Sequence, residues 1–168
     1  MIPKKNNIKN WTRQNLRNWF SKNEKSSSSI KFFRADQVFN WLYQKRVERF
    51  DEMLNIGQGT REILEDNFHI SSLQVADKLY SSDGSIKYRI MLNDGNSIES
   101  VFLPHKNHNT ICLSSQVGCA MGCDFCITAK MGLIRNLETS EIINQIFTVL
   151  KELPEEKEIR NIVFMGMG

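Results

Sequence analysis

Asn109-Thr110-Ile111-Cys112-Leu113-Ser114-Ser115, followed three residues later by Cys119-Ala120-Met121-Gly122-Cys123-Asp124-Phe125-Cys126, is the stretch on which the reading of this chain turns. The first part has the residue types of a short strand, and it runs into a loop made supple by Gly118 and Gly122. Three of the chain's four cysteines fall in that loop with spacing C-x3-C-x2-C, which makes it the place to look for chemistry. Thiolates this close can hold three irons of a [4Fe–4S] cluster. The motif has no fourth cysteine, so one iron would stay open to a small molecule. Zinc is the alternative, with Cys112, His105 or His108 as a fourth ligand. Structural zinc, however, usually takes two ligand pairs separated by a longer loop.

Toward the C-terminus the pattern turns helical. Thr139 is expected to cap a helix that buries Ile142, Ile143, Ile146, Phe147 and Leu150. Pro154 and the charged residues 155–158 form a return loop, and Asn161-Ile162-Val163-Phe164-Met165 reads as a buried strand ending in Gly166-Met167-Gly168. Strand, loop, helix and strand make a βαβ unit, which implies parallel strands and a right-handed crossover. The cysteine loop then lies at the C-terminal end of its strand, where α/β folds carry active sites. One βαβ unit cannot close a barrel, so its open edge is expected to be covered by further chain or by a partner.

Toward the N-terminus, Val75–Tyr80, Ile86–Leu92 and Ser97–Leu103 alternate with period two, joined by Asp83-Gly84 and Asp94-Gly95 turns. Glu99 sits in the last of these strands, where most glutamates simply face solvent. Before the meander the period is helical. Thr12–Ser21 places Leu16, Trp19 and Phe20 on one face, and Arg34 to about Gln44 carries the stripe Ala35, Val38, Phe39 and Leu42. A turn is expected over 50–56, then a helix capped by Thr60 that buries Ile63, Leu64 and Phe68. The polar run 21–29 reads as a linker. The aromatics here are expected to be core rather than platforms for nucleic-acid bases.

These elements sum to an α/β chain with three parts: a helical basic domain over 1–72, a β meander over 73–104, and the start of a larger α/β unit over 105–168. Charge is uneven. Residues 1–50 hold 12 of the 22 Lys and Arg but 3 of the 19 Asp and Glu, a balance of +9 against −6 for the remainder. Such an arm suits a polyanion, nucleic acid first. The alternative is a lysine-rich face that meets only water. No apolar run approaches the length of a membrane span and no hydrophobic leader follows Met1, so clustered cysteines are expected in a reducing cytoplasm.

The cysteine triplet, with aromatic Phe125 before its third member, resembles the signature of the radical S-adenosylmethionine (SAM) superfamily. Phe33-Arg34-Ala35-Asp36-Gln37-Val38-Phe39-Asn40-Trp41-Leu42-Tyr43, Ser114-Ser115-Gln116-Val117-Gly118-Cys119 and 161–168 together resemble the RlmN/Cfr family of adenine-C2/C8 RNA methyltransferases, the C2 branch more closely. The resemblance implies an incomplete radical SAM (β/α) partial barrel, a [4Fe–4S] cluster on Cys119, Cys123 and Cys126, and SAM chelating the open iron. Gly166 and Gly168 fall in the start of the family's Gly-Met-Gly-Glu-Pro motif, with Gly168 as the SAM contact. Glu99 matches the position assigned as proton acceptor, and Cys112 the cysteine that helps resolve the enzyme–RNA adduct. The implied partners are 23S rRNA and tRNA, with an electron donor such as flavodoxin. Family members also carry the methyl group on a later cysteine, and none follows Cys126 here. That leaves a catalytically inactive RNA-binding piece and a zinc-binding structural domain as the other readings.

Overall fold

The structure, a computed structural model, describes residues 5–23, 28–154 and 157–168. The chain divides into two compact units, Met1–Ser71 and Ser72–Gly168.

In the first unit, β1 (Asn6–Asn7) is followed by a single 3-10 turn, and Thr12 then caps α1 (Arg13–Asn23), its hydroxyl accepting the Asn15 N–H at 3.1 Å. Residues 24–27 of the expected linker lie outside the described residues. α2 (Ser28–Asn40) starts inside that polar run, earlier than its apolar stripe alone suggests. It passes into a single wide turn over Trp41–Lys45 that Arg46 ends in the left-handed conformation, φ 56°. After a 3-10 turn over Phe50–Glu52 comes α3 (Gln58–Asn67), then β2 (Phe68–His69), which pairs in parallel with β1.

Leu16, Phe20, Ala35, Val38, Leu42, Leu64 and Phe68 form the core, and Trp11 and Trp19 set their rings edge-on to Phe68 at 4.9 and 5.1 Å. Most aromatics are therefore core or packed on it, whereas Phe32 and Phe33 are exposed. Two expectations fail here. Gly57, not Thr60, is the N-cap of α3, and Ile63 is exposed because Leu64 and Phe68 set the inward direction of that short helix. Lys9 is buried, yet its ammonium donates to the Ser71 carbonyl at 2.8 Å, which offsets its desolvation.

The second unit is a five-stranded sheet in the order β3 (Gln74–Tyr80), β4 (Ile86–Met91), β5 (Ser97–Pro104), β6 (Asn109–Cys112), β9 (Asn161–Val163). The first four are antiparallel neighbours, and β9 adds in parallel to β6. Between β6 and β9 the chain makes a small hairpin absent from the sequence reading, β7 (Gln116–Gly118) with β8 (Leu133–Asn136), carrying the short helix α4 (Ile127–Lys130) in its loop. α5 (Thr139–Glu152) then crosses back to β9.

The core joins Tyr88, Ile90, Ile98, Phe102, Ile111 and Leu113 of the sheet region to Val149 of α5. α5 starts one residue earlier than Thr139 predicts. Glu138 is the cap, in a reciprocal capping box with Glu141. Its buried residues are Ser140, Asn144, Gln145, Thr148 and Val149, with Ile142 and Ile146 partly buried beside them. Ile143, Phe147 and Leu150 are only half-buried, so the inward face is rotated from the apolar stripe. Hydrogen bonds explain the rotation, because Gln145 bonds to Ser100 and Ser114 while Thr148 donates to the Leu73 carbonyl. The final strand stops at Val163, and as the sheet's edge it leaves Ile162, Phe164 and Met165 exposed rather than buried. No helix among the described residues is long and apolar enough to cross a membrane.

Candidate active site

The expected strand 109–115 ends at Cys112 because the next backbone groups bond elsewhere. Ser114 gives its N–H to Gln145 Oε1 and receives Gln145 Nε2 on its carbonyl, both at 2.9 Å. The freed chain turns into β7, and the three cysteines follow on an exposed loop whose stem is the β7–β8 pair. Cys119 N–H closes that stem on the Gly132 carbonyl at 3.2 Å. Arg135 of β8 ties it down with a two-pronged pairing to Glu141 at 2.7 and 2.8 Å and a contact to Asp94 in the β4–β5 turn at 2.7 Å.

All four cysteines are free thiols. The Cys126 thiol is held below its ordinary pKa, first by the Ala129 backbone N–H and then by the N–H and hydroxyl of Thr128, where α4 begins. Cys119 Sγ accepts the Met121 N–H at 3.4 Å, and the Cys126 N–H turns back to the Cys123 carbonyl at 3.0 Å. Phe125 points into solvent at 92 % exposure.

The three side chains are not gathered. Among the described residues no three His, Cys, Asp or Glu side chains stand where one metal ion could join them. The expected Cys119, Cys123 and Cys126 ligand set is thus present as a sequence of donors, not as a closed site. His105 and His108 stack on each other at 4.7 Å on the β5–β6 turn, at the start of β6 rather than its end. The donor chemistry nonetheless suits an iron–sulfur cluster: three free thiols on one short loop, exposed or half-exposed, of the ligand type that such clusters use.

Glu99 and Cys112 lie on one face of the sheet. Val101 is directly opposite Cys112, and Glu99 is two residues from Val101, so the carboxylate and thiol are diagonal neighbours across β5 and β6. This is the face turned away from Ile98, Ser100 and Phe102, which enter the core. Glu99 is half-exposed and pairs with Lys87 Nζ at 3.0 Å. Burial pushes the Cys112 thiol up, an effect partly offset by the Met165 backbone N–H.

The Gly166–Gly168 segment returns to these residues. Gly166 N–H donates to the Leu113 carbonyl at 3.1 Å, and the Met167 carbonyl accepts from Ser115 and Gln116 at 2.9 and 3.0 Å. A Cβ on Gly166 would stand 2.8 Å from both the Leu113 carbonyl and Ser114 Oγ, and one on Gly168, at φ +113°, would stand 2.6 Å from Ser115 Oγ. Only glycine fits so close an approach. Sequence reasoning missed Ser114 and Gln145 as members of this region. The available signal was the polar pair Asn144-Gln145 interrupting the apolar stripe of α5.

Residues 6–70 match the family model described as the ribosomal RNA large subunit methyltransferase N-terminal domain. The dual-specificity RNA methyltransferase RlmN of Desulfosudis oleivorans is 46 % identical over 161 residues, covering 96 % of this chain. The chain is similar to RlmN methyltransferases over part of their length. RlmN of Pelobacter propionicus is 52 % identical over 136 residues, 81 % of this chain and 38 % of that protein. A radical SAM methyltransferase from Sphaerobacter thermophilus has the same fold, with a TM-score of 0.81 and 30 % identity over 97 % of this chain and 47 % of its own. The chain spans less than half the length of these RlmN proteins, 42 % in the Desulfosudis case. The expected α/β architecture of a partial radical SAM fold is thereby established.

Proposed function

We propose that this chain supplies the first part of a radical SAM RNA methyltransferase that methylates adenine C2 in ribosomal and transfer RNA. One observation carries the reading. The Gly166–Gly168 segment is hydrogen-bonded both to the chain just after Cys112 and to the stem of the cysteine loop, which links the end of β6 to the separate β7–β8 hairpin.

Cys119, Cys123 and Cys126 would hold the cluster, and one-electron reduction of SAM is the chemistry that it supplies when bound. Gly168 would lie against the amino group of SAM. Glu99 would be the proton acceptor for the C2 hydrogen: a half-exposed carboxylate on the open face of the sheet, paired with Lys87 Nζ at 3.0 Å. Cys112 is the thiol that resolves the adduct. Its burial keeps it protonated until it is used, which suits a group that must wait for an intermediate. The basic exterior of the first unit provides phosphate contacts, with Lys5, Lys22, Lys45 and Arg46 all exposed.

The test is anaerobic reconstitution with iron and sulfide, followed by electron paramagnetic resonance with and without SAM. A cluster signal that changes with SAM and disappears in Cys119→Ala is the expected result. Full cluster content in Cys119→Ala, or stoichiometric zinc in protein purified without air, would overturn the reading.

A further inference from the structure

We propose that Ser114 and Gln145 are positioning residues that fix the Gly166–Gly168 segment against the stem of the cysteine loop, and thereby the binding of the sulfonium donor. The donor half of this proposal rests on the reading of that segment given under Proposed function.

Ser114 and Gln145 are fully buried, and Ser100 is 1 % exposed. Gln145 Oε1 accepts the Ser100 hydroxyl at 2.8 Å and the Ser114 N–H at 2.9 Å, while its Nε2 donates to the Ser114 carbonyl at 2.9 Å. The amide thus holds both backbone groups of one residue. Ser114 Oγ then works in two directions, donating to the Glu99 carbonyl at 2.6 Å and accepting the Met167 N–H at 3.0 Å. A single hydroxyl joins the strand of the proton acceptor to the segment assigned to SAM.

From Met167 the linkage continues through its carbonyl to the N–H groups of Ser115 and Gln116, the entry to β7 and so to Cys119. Gly166 is already pressed against Ser114 Oγ, so the segment has no slack on that side. An apolar residue could fill position 145 without the desolvation cost of an amide. The amide is explained by what it holds, since a buried polar network is rigid when every member is satisfied.

Ser114→Ala and Gln145→Met delete the bonds at nearly constant volume, and Val149→Ala weakens the same core without touching them. Amide hydrogen exchange on the full chain is read for Ser115, Gln116 and Gly166 relative to the amides of β4. We expect about tenfold faster relative exchange in each of the first two variants. Val149→Ala should leave the ratio unchanged, and the double variant should exceed neither single one, because both act on one network. Wild-type ratios in the single variants, or additive effects in the double one, overturn the proposal.

On cluster-loaded chain, half of the SAM-induced spectral change should require about tenfold more SAM in Ser114→Ala and Gln145→Met than in wild type, at equal iron content. Titration at the wild-type concentration would refute the donor half. If wild type itself shows no response to SAM, the assignment of Gly166–Gly168 fails and takes the donor half with it. The exchange ratios still decide whether the two residues position the segment.

Discussion

Replacing Arg135 by methionine keeps the aliphatic stem and removes the guanidinium that joins β8, α5 and the β4–β5 turn. The two prongs to Glu141, at 2.7 and 2.8 Å, are charge-assisted hydrogen bonds to a carboxylate whose side chain is 14 % exposed. Such bonds are each worth about 1.5–3 kcal/mol where water is excluded, and the 31 % exposure of Arg135 argues for the lower end of that range for the whole fork. The Asp94 contact, to a carboxylate side chain 39 % exposed, adds about 0–0.5 kcal/mol. Glu141 keeps the Glu138 N–H, so the capping box survives.

The expected loss is about 2 kcal/mol, confined to the stem of the cysteine loop and the first turn of α5. Trp11, Trp19 and Trp41 all belong to the first unit, so tryptophan fluorescence reports the wrong region. Peptide-resolved amide exchange over 133–141 is the suitable assay, and it should accelerate about thirtyfold. The acceleration should shrink in high salt relative to wild type measured in the same salt, since part of the deleted term is electrostatic. A rise of less than about threefold would show that the pairing contributes no more than an ordinary surface ion pair.

In metal-free chain, iodoacetamide should modify Cys126 well before Cys112 as pH is raised. The first thiol is held down by N–H donors and partly exposed, and the second is pushed up by burial and 7 % exposed; mass spectrometry of the two peptides reads the order. Asp94 is held at about 2, chiefly by the Asn96 side chain with Arg135 assisting. Its folded value is lowered, so its contribution to stability is complete above the ordinary carboxylate range and is lost as pH falls toward 2; acid titration by circular dichroism should show a smaller loss in Arg135→Met. Tyr88 is pushed up to about 12 by burial. With a raised folded value, its contribution is present below the ordinary phenol range and lost on going up to about pH 12, so ultraviolet titration should find it ionising only as the second unit opens. In the first unit, Leu64→Ala should cost about 2–5 kcal/mol, seen as a lower urea midpoint by tryptophan fluorescence, because Leu64 is fully buried.

Periodicity made most of the elements legible. The meander strands begin within one residue of where alternation placed them, because the Asp-Gly turns at 83–84 and 94–95 fix both register and length. What stayed hidden was set by partners distant in sequence. β7 and β8 are short, and the residues between them read as loop, so only their mutual pairing defines them. The inward face of α5 follows Gln145 rather than its isoleucines, because Ser100 and Ser114 offer bonds that no helical pattern can reveal. Site residues divided in the same way. The cysteine spacing singled out three candidate donors directly, while Glu99 looked like any solvent-facing strand glutamate until the resemblance of its position to a family was added.

Alternation along β5 separates the two tasks of that strand, and this makes the register of the sheet a chemical matter. Ile98, Ser100 and Phe102 face α5, and of these Ser100 alone is polar, spending its hydroxyl on Gln145. Glu99 and Val101 take the other face, where Cys112 of β6 and Val163 of β9 extend the row. A slip of one residue between β4 and β5 would bury the carboxylate beneath α5 and expose Ile98 and Phe102, costing the core several buried side chains. The apolar residues that stabilise the sheet thereby also decide where the carboxylate and the thiol must lie. The face that carries Glu99 and Cys112 is thus specified by the core beneath it.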